Sequence, residues 1–297
     1  MKKLIILLGP TGVGKTDLSI DIASYFSSPI ISCDSRQFYK EMRIGTAVPS
    51  DEQLALCEHK FIQIKSIFDY YSAAEFEREA LEEMDVLFKN NDTLVMTGGS
   101  MMYIDAICRG MDAMPTISEE LRCSLNELFK EKGLEYIRQM LKEQDPTYYE
   151  EVDLQNHKRI LHALEICKTA GVPYSSLRKN QAKKRDFNIV LVGLNRDREE
   201  LYNRINMRVD IMMEEGLEEE ARSLYQYREL NALNTVGYKE MFAYFDGEID
   251  KEEAVRLIQR NSRHYARRQL IWFRRNDKIQ WFNPDDKEAV LEYCIKG

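Results

Sequence analysis

The chain has 297 residues, 44% hydrophobic and 31% charged, which is too apolar for a disordered protein and ample for one large domain or two modest ones. Six scattered cysteines without a C-x-x-C pair, and four dispersed histidines, argue against a disulfide scaffold or a zinc site and suit a reducing cytoplasm. The net charge of −8, taken as a total, argues against nucleic acid as a partner.

Residues 4–8 (LIILL) read as a buried strand that stops at Gly9-Pro10, too short for a secretory signal core. No stretch approaches the roughly 18 apolar residues of a membrane span. A helical pattern follows through 16–23, then a second strand over 29–33 that ends at Asp34-Ser35. Residues 73–90 form an amphipathic helix, and 93–96 a third strand that ends at Thr97-Gly98-Gly99. This alternation predicts a parallel sheet with right-handed crossovers. From 111 to 185 the periodicity is helical without a strand, with starts at Ser118, at Asp145-Pro146 and at Asp153 leading into 154–170, which Gly171 ends. A β run returns at 189–194, and the remainder is mostly helical. The expected organisation is an α/β core of residues 1–110 and 186–297, interrupted by a helical insertion over 111–185.

Gly9-Pro10-Thr11-Gly12-Val13-Gly14-Lys15-Thr16 matches G-x-x-x-x-G-K-[ST], with a strand before it and a helix after it. Backbone N–H groups and the helix dipole would receive phosphate oxygens, Lys15 would add a mobile charge and Thr16 a hydroxyl for Mg²⁺. The loop implies a di- or triphosphate without naming it. NTPases carry a Mg²⁺-holding Asp at the end of a neighbouring strand, but the third strand here ends without a carboxylate. The carboxylate follows the second strand instead, as Asp34. It is placed as a general base at the carboxyl edge of the sheet, or as a turn or helix N-cap. Ser100 could donate into the same cleft or cap a helix.

Positive charge is concentrated in two stretches. Residues 178–185 hold five Lys/Arg, and residues 256–275 hold seven Arg, neither with an acid. Arg256, Arg260, Arg263, Arg267 and Arg274 recur at helical spacing along one face, with His264, Tyr265 and Trp272 interleaved for stacking on bases. Arg204 and Arg208, four apart, either reach a diphosphate or pair with the acids of 214–220. Residues 235–240 read only as a turn.

Together these residues resemble the tRNA dimethylallyltransferases, also called tRNA isopentenylpyrophosphate transferases. The matching pieces are Gly9 to Thr16, Asp34 to Tyr39 with Ile44-Gly45-Thr46-Ala47, and Thr97 to Tyr103. Arg159 with Ala163-Leu164-Glu165, Val236 to Glu240 and Arg267 to Arg274 complete the set in family order. The resemblance implies a P-loop NTPase-like parallel sheet core flanked by helices, with an all-helical insertion that grips the tRNA anticodon stem-loop. The implied reaction moves a dimethylallyl group from dimethylallyl diphosphate to N6 of the adenosine 3′ to the anticodon, in tRNAs reading codons that begin with U. Diphosphate, not ATP, would fill the loop with Mg²⁺ as cofactor, Asp34 would take the amine proton, and Arg208 would neutralise the leaving group beside Ser100.

The implied tRNA contacts are Asp34, Ser35, Arg36, Gln37, Ser100, Arg122, Lys158, Arg159, Ile160, Leu161 and His162. To these the resemblance adds Gly237, Tyr238, Lys239, Arg263, Arg267, Arg268, Gln269, Trp272 and Arg274. Ser100 stands where the family usually has Thr, and of the family's Gln-Arg-x-x-Arg stretch only Arg159 is kept at 158–162. The chain lacks the C-terminal zinc finger of eukaryotic members, so a bacterial, cytoplasmic, monomeric enzyme without a membrane partner is expected. An adenylate isopentenyltransferase or a small-molecule kinase shares the loop and carboxylate; the helical insertion and arginine-rich helix favour tRNA. The basic stretches in an otherwise acidic chain are then expected to orient the RNA.

Overall fold

The computed structural model describes residues 2–179 and 181–297. Six strands form one parallel sheet: β1 (Lys3–Leu8), β2 (Ile30–Ser32), β3 (His59–Lys60), β4 (Thr93–Gly98), β5 (Asn188–Leu194) and β6 (Gln280–Phe282). Their order is β3-β2-β4-β1-β5-β6. β1 is central because its residues 4–8 are apolar at every position, as a strand covered on both faces requires. Leu4, Ile6 and Leu8 enter one hydrophobic cluster, and Ile5 and Leu7 the other. The chain order crosses from one side of β1 to the other after β4, so loops at the carboxyl ends of β1, β2 and β4 surround a switch-point crevice.

The helices between these strands are α1 (Lys15–Phe26), α2 (Asp51–Leu56), α3 (Ala73–Leu87) and α4 (Met101–Arg109). Ser72 and Glu75 close a capping box at the start of α3. Then come α5 (Glu119–Gln144), α6 (Pro146–Glu151), α7 (His157–Ala170) and α8 (Tyr174–Leu177). After β5 follow α9 (Arg198–Glu214), α10 (Leu217–Leu224), α11 (Tyr238–Phe245), α12 (Lys251–Phe273) and α13 (Lys287–Lys296).

The chain divides into two compact units, one holding residues up to Cys108 with Lys184–Gly297, the other Arg109–Lys183. The second unit is helical and has its own core around Leu125, Ile137, Leu141, Ile160 and Leu164. Its longest helix, α5, is broken at Gly133, whose φ of 80° lies outside helical space.

Several boundaries differ from expectation. β4 continues to Gly98 because Thr97 and Gly98 still pair with Leu7 and Leu8. Asp153 does not open α7; the cap is Asn156, whose side chain receives the Arg159 N–H. The two-residue β3 and three-residue β6 carry too short an apolar run to stand out in the sequence. Among the described residues no helix is long and apolar enough to cross a membrane.

Candidate active site

The loop from Gly9 to Thr16 joins β1 to α1 as the motif requires, and Lys15 and Thr16 open the helix. Lys15 Nζ donates to the carbonyls of Gly9 and Pro10 at 3.1 and 2.9 Å. Burial, reinforced by the nearby positive charge of Arg208, lowers the Lys15 pKa to about 8. Three arginines hold the outer side of the loop. Arg208 Nη1 meets the Thr11 hydroxyl at 3.3 Å, Arg204 Nε the Gly12 carbonyl at 3.0 Å and Arg196 Nε the Val13 carbonyl at 3.0 Å. Burial lowers the Arg208 pKa from its ordinary value. The helical spacing of Arg204 and Arg208 therefore turns both toward the loop, although the charge of Glu215 also acts on Arg208.

Asp34 follows β2 and caps its own turn: Oδ1 accepts the N–H of Arg36 at 2.8 Å and of Gln37 at 3.3 Å. Ser100, buried, accepts the Ser35 N–H at 2.7 Å, which joins the ends of β2 and β4. Tyr265 of α12 is tied to Ser100, and burial, then the charge of Asp34, raises its phenol pKa. No carboxylate could replace Gly98 at the end of β4, since a Cβ there would lie 2.7 Å from Cys33.

Two adjoining cavities share Thr11, Asp34, Thr46, Arg208 and Tyr265. One, of about 460 Å³, reaches the phosphate loop at Gly14, Lys15 and Thr16. The other, of about 490 Å³, is lined by Ser35, Arg36, Gly237, Lys239 and Arg268. A carboxylate thus sits where a space lined by the Gly9–Thr16 loop meets a second space rimmed with cations. Among the described residues no group of three or more His, Cys, Asp or Glu could bind a metal alone. The hard oxygen of Thr16 suits Mg²⁺ only if substrate phosphates and water complete its shell.

Several residues expected to touch RNA have side chains committed elsewhere. Tyr238 is buried, and its hydroxyl donates to Glu220. Ile160 and Leu161 lie in the helical unit's core, so α7 exposes Lys158, Arg159 and His162 instead. Arg122 and His162 both approach the buried Glu165, at 3.6 and 3.7 Å. Gln269, also buried, accepts the Thr11 N–H and donates to the Gly99 carbonyl. Trp272 Nε1 donates to Asp105 at 3.0 Å.

The five arginines expected along one helix face, four in α12 and Arg274 at its C-cap, do not form one open face. Arg256 pairs with Glu253, an acid one turn upstream of the basic stretch. Arg263 turns to Asn206 and lies over the Tyr202 ring, whereas Arg267 and Arg274 line a separate groove beside Tyr202. In the other basic stretch, Arg178 pairs with Glu151 and Arg185 is buried against Glu77. Asn180 of that stretch lies outside the described residues. Sequence reasoning missed Arg196 and Glu220, which hold backbone segments and carry no motif of their own.

A family model described as "IPP transferase" matches residues 37–276. The chain is 56% identical over 293 residues to tRNA dimethylallyltransferase 2 of Parabacteroides distasonis, covering 99% of this chain and 98% of that one. It is 52% identical to tRNA dimethylallyltransferase 1 of Phocaeicola vulgatus, covering 98% and 97%. The crystal structure of a tRNA isopentenylpyrophosphate transferase from Bacillus halodurans superposes with a TM-score of 0.74 at 32% identity, covering 100% of this chain and 96% of that one. On its parallel sheet, its phosphate loop and these matches, the chain belongs to the IPP transferase family.

Proposed function

We propose that this enzyme transfers a dimethylallyl group from dimethylallyl diphosphate to N6 of the adenosine 3′ to the anticodon, in tRNAs reading codons that begin with U. The observation that carries this reading is the position of Asp34 between a phosphate-binding cavity and a second, cation-rimmed cavity. A donor and an acceptor entering from opposite sides meet at one carboxylate.

The diphosphate occupies the loop against its backbone N–H groups, Lys15 and Arg208. Thr16 would help to hold Mg²⁺, which would supply further neutralisation of charge. The adenine enters the second cavity flipped out of its stack, past Arg36, Lys239 and Arg268. The N6 lone pair forms the bond to the allylic carbon as the carbon–oxygen bond to diphosphate breaks. Asp34 takes the N6 proton on Oδ2, because Oδ1 is engaged by its own turn. Lys15 and Arg208 balance the charge that develops on the departing diphosphate. Ser100 keeps the Asp34 turn aligned with the end of β4. The helical unit engages the anticodon stem-loop through Lys158, Arg159 and His162. The enzyme acts in the cytoplasm, where its tRNA substrate resides.

The test is incubation with radiolabelled dimethylallyl diphosphate, Mg²⁺ and unmodified tRNA, with AMP and ATP in parallel. Label is expected in tRNA at the adenosine beside the anticodon. Label in AMP and none in tRNA would overturn the reading.

A further inference from the structure

Two segments of the family resemblance, 44–47 and 236–240, have no reactive side chain in the proposed chemistry, yet they meet at one carboxylate. Glu220 of α10 accepts the N–H of Arg43 at 2.9 Å and of Ile44 at 2.8 Å on Oε2. Its Oε1 accepts the Gly45 N–H at 2.9 Å and the Tyr238 hydroxyl at 2.6 Å. Three successive amides thus form a concave anion seat, with the seat filled from within the chain. The Tyr238 ring packs so closely on Gly45 that a Cβ there would lie 2.6 Å from it. Burial, and then the charge of Glu220, raises the Tyr238 pKa, so the phenol remains a donor. Nothing in the run Glu218-Glu219-Glu220 marks this residue. Glu218, in the same run, instead pairs with the side chains of Arg222 and Lys251.

The held loop ends at the junction of the two cavities. Ala47 has a φ of 51°, which a residue with a side chain adopts only when its surroundings impose it. Its carbonyl accepts Gln37 Nε2 at 2.8 Å and lies 3.5 Å from Arg208 Nη2. Gln37 belongs to the turn capped by Asp34, and Arg208 faces the phosphate loop.

We propose that Glu220 is a positioning residue whose carboxylate, together with Tyr238, fixes the 43–47 loop so that the Ala47 carbonyl aims the Arg208 guanidinium into the phosphate cavity. This rests on reading that cavity as the diphosphate site. Calorimetric titration with inorganic pyrophosphate and Mg²⁺ tests it without requiring the transfer reaction, using wild type, Glu220→Gln, Arg208→Met and the double variant. In Glu220→Gln an amide replaces the carboxylate and sets its own N–H groups against the loop's donors. It is expected to weaken pyrophosphate binding about tenfold alone and less than about twofold on top of Arg208→Met, because coupled residues are non-additive. Tyr238→Phe, which keeps the buried ring, is run through the same cycle in case Glu220→Gln does not fold, and is expected to move binding in the same direction by less. A lowered melting temperature with wild-type pyrophosphate affinity, or an equal loss with and without Arg208, overturns the positioning role. A wild type that binds no pyrophosphate overturns the diphosphate reading itself, and this proposal with it.

Discussion

The side-chain oxygen of Gln269 accepts the Thr11 N–H at 2.9 Å. The same amide donates to the Gly99 carbonyl at 2.8 Å, so one buried residue of α12 ties the phosphate loop to the end of β4. Gln269→Leu keeps the bulk and strands both backbone groups, at a cost of about 1–3 kcal/mol for each unsatisfied group. Urea denaturation should show the loss, and the KM for dimethylallyl diphosphate should rise while tRNA affinity holds. An unchanged KM with weakened tRNA binding would return Gln269 to an RNA contact.

Asp34→Asn preserves the size of the side chain and an oxygen for the turn, but removes the base. Transfer should fall about 10²–10⁴-fold, the usual contribution of a positioned proton acceptor. Pyrophosphate and tRNA binding, measured by calorimetry and filter binding, should stay near wild type. Undiminished turnover would remove Asp34 from the chemistry.

Lys15 sets an alkaline limit. Its pKa is lowered to about 8, so its charge is present below that pH and lost above it. The kcat/KM for dimethylallyl diphosphate, which reports the free enzyme, should therefore decline above about pH 8. Lys15→Arg keeps its charge across this range, and its profile should lose that decline even though its level drops. A decline that persists in the arginine variant would assign the alkaline limb to another group.

Arg185 and Glu77 form a 2.7 Å pair with both side chains under one-tenth exposed, and Arg185 also donates to the carbonyls of Ala106 and Ile107. Arg185→Met removes the buried ion pair and both carbonyl contacts, and breaking such a pair costs about 3–5 kcal/mol. Thermal unfolding should show the loss, whereas the salt dependence of tRNA binding should not change. A flatter salt slope with unaltered stability would mean that Arg185 meets phosphate.

Exposed Arg268, at the rim of the cavity beside Asp34, should behave in the opposite way. Arg268→Ala should weaken tRNA binding and reduce its slope against log salt by about 1, with little effect on stability. Arg267→Ala compares the groove on the other side of α12, and a slope untouched by either substitution would count against α12 as an RNA surface.

The fold was legible where chemistry and periodicity coincide. Residues 4–8 are apolar at every position because β1 is covered on both faces, and the glycines and Lys15 mark the loop that follows it. The helical unit was visible because its core recurs at helical spacing. The two basic stretches misled because charge counts within a window omit partners outside it, such as Glu253 for Arg256 and Glu77 for Arg185. Tyr238 and Gln269 matched a family pattern, but the pattern alone could not separate a residue that touches substrate from one that holds backbone. Glu220 was invisible because three of its four donors are main-chain amides, which no side-chain motif encodes.

The contact between Thr11 and Gln269 spans 258 residues, and Arg196, whose Nε meets Val13, is itself paired with Asp285 at 2.6 Å. The phosphate loop thus leaves the ribosome well before the residues that brace it. Such long-range closures form late in folding. A nascent chain that has not yet emerged past residue 285 would hold the complete loop sequence without its finished grip. The loop is consequently braced in full only after synthesis has passed residue 285.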